Sequence, residues 1–222
     1  MTMLDAGSLE HAVAVAAALM LVISFAMLAQ RRLLALVKWF AAQGVVLALT
    51  TALVGAASGH GELYVSALLT LVLKGALLPW LVWWIILRLK VYWEVEHLVK
   101  VPVTLFFGVF LTLFSFHLVK PLTRDVSFVT EKTLAIALAC VLIGLLMMIT
   151  RRKAVTQVVA FLAIENAIFF TAIGSTWGMP MVVELGIAFD VLMASLLFGL
   201  FFHHIHATFD SLDLTRMESE GE

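Results

Sequence analysis

The sequence predicts an all-α, polytopic membrane protein of about seven transmembrane helices. Three observations lead there. Of 222 residues, 63% are hydrophobic and 13% charged, whereas soluble domains average about 45–50% and about 25%. Mean hydropathy is +1.09. The apolar residues also form continuous runs of helical length, since a membrane helix takes about 20 residues. Barrel strands would take only about 9–11 alternating residues, so a β-barrel is excluded.

The spans fall at roughly 9–29, 33–57, 62–87, 101–119, 133–150, 155–177 and 181–203. The first lacks a basic leader and a convincing cleavage site, and is expected to be retained. Gln30-Arg31-Arg32 separates it from the second, which ends in the tight turn Ser58-Gly59-His60-Gly61. The third stops at a charged connector from Arg88 to Lys100, and the fourth at a polar loop from Lys120 to Lys132. Arg151-Arg152-Lys153 closes the fifth, and Gly178-Met179-Pro180 closes the sixth. The seventh runs into a polar tail. Residues 1–210 thus read as one transmembrane helical domain and 211–222 as an acidic cytoplasmic tail.

Cytoplasmic loops of membrane proteins carry excess Lys and Arg. With the N-terminus outside, the inner segments hold Arg31, Arg32, Arg88, Lys90, Lys100, Arg151, Arg152, Lys153 and Arg216. The outer loops hold only Lys120, Arg124 and Lys132, so the sequence predicts N-out, C-in. The Trp80, Trp83, Trp84, Tyr92 and Trp93 cluster suits an aromatic belt at the cytoplasmic interface.

Several function classes drop out. A net charge of −1 offers no basic surface for nucleic acid. The single cysteine, Cys140, rules out an intrachain disulfide and a cysteine-held cluster. No Gly-rich phosphate loop, nucleophile elbow or His-Glu-x-x-His pair occurs. His203 and His206, with Asp210, share a helix face of metal-ligating type. Histidines at a helix C-terminus are the commoner meaning of such a pattern, so no metal or cofactor is assigned.

The chemistry-bearing residues lie inside the spans. Lys74, Glu165 and Asp190 lie about 18, 15 and 14 Å along the third, sixth and seventh helices, near the bilayer midplane. A charged side chain at that depth costs ~2.5–3.5 kcal/mol on insertion scales and marks a functional hypothesis by default. Ser66, Thr70 and Lys74 share a helix face, and Pro79 follows, where a kink or break is expected. Gly186, Asp190 and Ala194 form a small-residue face suited to close packing. Asn166 neighbours Glu165, and Gln43 and Thr50 extend the polar positions in the second span. Glu184, at the start of the seventh helix, fits a dipole cap better than a relay group. Lys38 is close enough to an interface to snorkel. Glu165 also has a plainer explanation, a protonated and hydrogen-bonded carboxyl.

The stretches "TLVLKGALLPW", "FLAIENAIFF" and "VVELGIAFDVLMASLLFGLFFHHIHATFDSLDL" resemble the component E subunit of hydrogenase-4 complexes. Those are membrane-bound group 4 [NiFe] hydrogenases related to formate hydrogenlyase. The likeness covers nearly the whole chain. It is most specific at Lys-x-x-x-x-Pro, the Glu-Asn pair and Glu-Leu-Gly-Ile-Ala-x-Asp. Residues 133–210 also resemble the K-type small membrane subunit of complex I and its Mrp antiporter relative. Glu165 matches the first of that family's two mid-membrane glutamates, Asp190 the second, and Thr208-Phe209-Asp210 its closing motif. Here the second carboxylate is an aspartate, one methylene shorter.

The resemblance implies a non-catalytic membrane subunit of an oxidoreductase complex in the cell inner membrane. Antiporter-like membrane subunits would pack beside it, and hydrophilic NiFe and iron–sulfur subunits would bind on the cytoplasmic side. Glu165, Asp190 and Lys74 are the expected proton or ion relay, with Glu184, Asn166 and Gln43 secondary. The alternatives are a structural anchor joining antiporter-like subunits to the redox arm, or a subunit of a related non-hydrogenase ion-translocating complex. An independent secondary transporter is disfavoured, because the two halves show no internal repeat.

Overall fold

The computed structural model describes residues 6–58, 61–88, 98–121 and 128–176, together with 186, 188, 189, 191–196 and 199. Every element among them is helical. Helix α1 spans Ala6–Ala29 and α2 Leu33–Ser58; the third crossing runs through α3 (Glu62–Thr70), a π-helical segment (Leu71–Leu77) and α4 (Leu78–Arg88). Helices α5 (Val101–Val119), α6 (Phe128–Thr150) and α7 (Ala154–Thr176) follow. Among the described residues, six helices are long and apolar enough to cross a membrane. The chain is therefore an all-α polytopic membrane protein, as its composition predicts. Most of the seventh predicted span lies outside the described residues; 191–196 are helical.

Local chemistry sets the helix ends. Lys100 precedes α5 in extended conformation and a proline occupies the first turn, where its missing N–H is harmless. Helix α6 starts at Phe128, five residues before its expected start at 133, and takes Glu131 into its first turn. Those polar residues read as loop by hydropathy, but a carboxylate near a helix N-terminus is favoured by the dipole.

Helix α6 packs on α7, α5 and α1, while α2 packs on α1, α3, α7 and the π segment. Helix α5 is peripheral and turned inside out relative to a soluble helix. Thr104, Gly108 and Ser115 face inward, and Phe106, Phe110 and Leu113 face outward. That is the sense expected in lipid, where apolar surface has no water to escape and small or hydroxylated residues hold helices together. Ser115 Oγ donates to the Ala135 carbonyl of α6 at 2.9 Å.

The buried apolar residues fall into two clusters. One gathers Ile23 and Met27 of α1, Phe40 of α2, Leu81 of α4, Ile143 of α6 and Val159 of α7. The other gathers Ala17 and Met20 of α1, Leu47 of α2, Leu63 of α3, Cys140 of α6 and Phe170 of α7. Along α1, α2, the third crossing and α7 the changeover falls at a polar residue or beside one: Ser24, Gln43, Lys74 and the Glu165-Asn166 pair. These side chains form a polar layer between two apolar slabs.

Arg151, counted by sequence among the inner-loop cations, is buried. It is only 1% exposed. Its guanidinium donates to the carbonyls of Gln30 at 2.9 Å, Met27 at 3.1 Å and Leu28 at 2.9 Å. Those acceptors end α1, where carbonyls lack intrahelical donors and the dipole favours a cation. Arg151 therefore staples the α6–α7 loop to the α1 terminus. Burial pushes its pKa down to about 10, which leaves it charged at neutral pH.

Candidate functional site

The polar layer is centred on Lys74 and Glu165. Lys74 Nζ donates to Glu165 Oε1 at 2.5 Å, joining the third crossing to α7. The lysine is 1% exposed and the glutamate side chain 12%. Glu165 Oε2 is buried with no hydrogen-bond partner among the described residues. Such an oxygen is costly to bury, because nothing replaces the water it would have in solution.

The backbone around Lys74 is unusual for an identifiable reason. Lys74 is the fourth of seven π-helical residues, and the Leu78 N–H bonds back to the Leu73 carbonyl, five residues away. In that register residue 79 should donate to the Lys74 carbonyl, but Pro79 has no N–H. Helix α2 comes close at this point. A Cβ added at Gly44 would stand 2.5 Å from the Lys74 carbonyl oxygen and 2.6 Å from its carbon. Only glycine permits that approach, because the obstacle is backbone and cannot rotate aside. Gly44→Ala is expected to separate α2 from the π segment and destabilise the chain by ~1–3 kcal/mol. A lowered melting temperature in detergent would show it; an unchanged one would mean that the helices accommodate the methyl.

A hydrogen-bonded row continues the layer. Asn166 Nδ2 donates to Gln43 Oε1 at 3.3 Å, Gln43 Nε2 to Ser24 Oγ at 3.3 Å, and Ser24 Oγ to the Met20 carbonyl at 2.8 Å. All three side chains are buried. Because adjacent residues on a helix point about 100° apart, Glu165 faces the π segment while Asn166 faces α2.

Sequence expectation and structure meet unevenly. Lys74, Glu165, Asn166 and Gln43 come together in one layer, and Thr70 is buried beside Lys74. Thr50 bonds instead to the Val46 carbonyl of its own helix at 2.8 Å. Lys38 is exposed. Trp80 and Trp84 stack at 6.4 Å between centroids. Asp190, Glu184, His203, His206, Asp210, Tyr92 and Trp93 lie outside the described residues. Among the described residues no group of three potential metal ligands occurs.

Sequence reasoning missed Ser24, Gly44 and Phe169. Ser24 reads as an ordinary small residue in an apolar helix. The glycine beside Gln43 was a usable signal, since a small residue often marks close helix approach. Phe169 is one of 16 phenylalanines and carries no signal of its own. A cavity of about 250 Å³ lies beside Glu165, lined among others by Phe161, Ile168, Phe169, Gly186 and Phe189.

The chain resembles a small set of known proteins. Over 189 residues it is 33% identical to the uncharacterized protein Rv0085 of Mycobacterium tuberculosis, covering 85% of this chain and 86% of that one. Over 99 residues it is 28% identical to hydrogenase-4 component E of Escherichia coli K12, covering 45% of this chain and 46% of the other. The same figures hold for hydrogenase-4 component E of Shigella flexneri. The match thus spans about half the length of the hydrogenase-4 relatives and less than half of this chain, not nearly the whole of it as the motifs suggest. No family model and no solved structure matches the chain.

Proposed function

This chain belongs to the family of the Mycobacterium tuberculosis protein Rv0085, and on that premise we propose a non-catalytic role inside a larger membrane assembly. It is an integral subunit of a complex I-related redox complex, of the membrane-bound hydrogenase or formate hydrogenlyase type. The similarity to hydrogenase-4 component E and the six membrane-crossing helices support this. Antiporter-like membrane subunits pack beside it, and NiFe and iron–sulfur chemistry resides in hydrophilic partners.

Within that assembly the chain contributes to proton or ion translocation. One observation carries the reading: a lysine–glutamate pair, buried between two apolar slabs, with one carboxylate oxygen lacking a donor among the described residues. Buried ion pairs are poor stabilisers, because desolvating two charges offsets their attraction and apolar replacements often do as well. Retaining the pair in a bilayer therefore suits a moving charge better than a packing contact. Lys74 is the cation seated on Glu165 Oε1. When the ammonium withdraws, a proton takes its place at the carboxylate. Asp190, in the following span, is the second exchanging group.

Glu165→Gln and Asp190→Asn test this in the intact complex. The expected result is normal assembly and electron transfer with loss of coupled ion movement, read as dye quenching in inverted membrane vesicles. If pumping survives both changes, the relay is wrong. If neither variant assembles while apolar replacements of similar size do, the chain is an anchor instead.

A further inference from the structure

Phe169 stands one helical turn beyond Glu165, so both project from the same face of α7. Lys74 Nζ lies 5.1 Å from the centre of the Phe169 ring while bonded to Glu165 Oε1 at 2.5 Å. The ammonium is therefore held by a carboxylate and a ring face together. A desolvated cation–π contact is among the stronger weak interactions available in such a place.

Gly186 constrains that ring. A Cβ added at Gly186 would fall 2.3 Å from Phe169 Cε2 and 2.4 Å from Cδ2. The Gly186 backbone is thus packed directly on the ring, and a side chain at that position would require the ring to move. On the other hand, Phe169 also borders the cavity of about 250 Å³ beside Glu165. A dry cavity of ~150 Å³ accommodates a benzene molecule, so the phenyl ring has space to turn away from Lys74.

We infer that Phe169 is a positioning residue for the Lys74–Glu165 pair. Its ring, pinned by the close approach of Gly186, keeps the Lys74 ammonium at the Glu165 carboxylate; rotation of the ring into the cavity releases it. The Gly186 backbone thereby acts on the ion pair through an uncharged residue. The transport consequence rests on the relay proposed above, whereas the positioning itself does not.

Two readouts keep those apart. In the full chain labelled with isotopic lysine, the Lys74 side-chain methylene resonances, assigned by their loss in Lys74→Arg, are displaced upfield by the ring. Phe169→Leu is expected to abolish that displacement, and Phe169→Trp to keep or enlarge it, with the fold unchanged in both. In the intact complex Phe169→Leu is expected to lower ions moved per electron pair about fivefold, with Phe169→Trp close to the parent. Gly186→Ala should perturb the same Lys74 signals. Gly186→Ala with Phe169→Leu should recover assembly, since the clash is gone, but not coupling. Unchanged Lys74 resonances in Phe169→Leu overturn the positioning role. Changed resonances with unchanged transport, together with transport surviving Glu165→Gln, overturn the relay instead.

Discussion

Lys74→Met is expected to destabilise the folded chain by ~3–5 kcal/mol, whereas Lys74→Met combined with Glu165→Leu should cost little or nothing. The asymmetry follows from burial. Removing the lysine alone leaves a carboxylate with neither oxygen partnered among the described residues, and an uncompensated buried charge costs about 3–5 kcal/mol. Removing both partners deletes the attraction and the desolvation penalty together, leaving apolar groups beside Phe169 and Ile168. Denaturant unfolding in detergent of the parent, both single variants and the double variant closes a double-mutant cycle. A double variant as unstable as Lys74→Met would show that the pair holds the fold. Transport adds a second axis: the double variant should fold, assemble and carry no ions.

Arg151→Ala is the other large effect expected, at ~2–4 kcal/mol. It strips three donated hydrogen bonds from the carbonyls of Met27, Leu28 and Gln30 and removes the cation at the end of α1. Hydrogen exchange should accelerate at the α1 terminus and in the α6–α7 loop, with the far ends of those helices less affected. Arg151→Lys should fall between, because an ammonium is a point charge that cannot reproduce the planar fork across several acceptors. With the guanidinium pKa near 10, this contribution should not vary between about pH 5 and pH 8, where the group stays charged in folded and unfolded chains. Uniform loss of protection along the whole chain would argue against a local staple.

Arg151 also shows where sequence reading stops. By composition it belongs to a run of three loop cations, and the positive-inside pattern counts it like its neighbours. Yet Arg152 is exposed and Arg151 is not. The difference is set by the terminus of α1, more than 120 residues away in the chain, and no local pattern encodes that proximity. Lys74 and Glu165 were easier. Each is a charge in an apolar run of known length, so depth arithmetic alone placed them at a common level. Their pairing follows from that shared depth, whereas the π register and the row through Gln43 and Ser24 are not legible in hydropathy.

The sequence by itself determined the membrane class, six crossings now seen as helices, and which side chains bear an intramembrane cost. Those follow from solvent physics: a bilayer demands satisfied backbones and long apolar runs, and every exception is conspicuous. Only the tertiary structure decided which exceptions meet. The close approach at Gly44, the ring of Phe169 against Lys74 and the capture of α1 by Arg151 depend on how helices distant in sequence pack. In lipid that packing rests on small residues and hydrogen bonds rather than apolar patterning, so hydropathy carries little record of it.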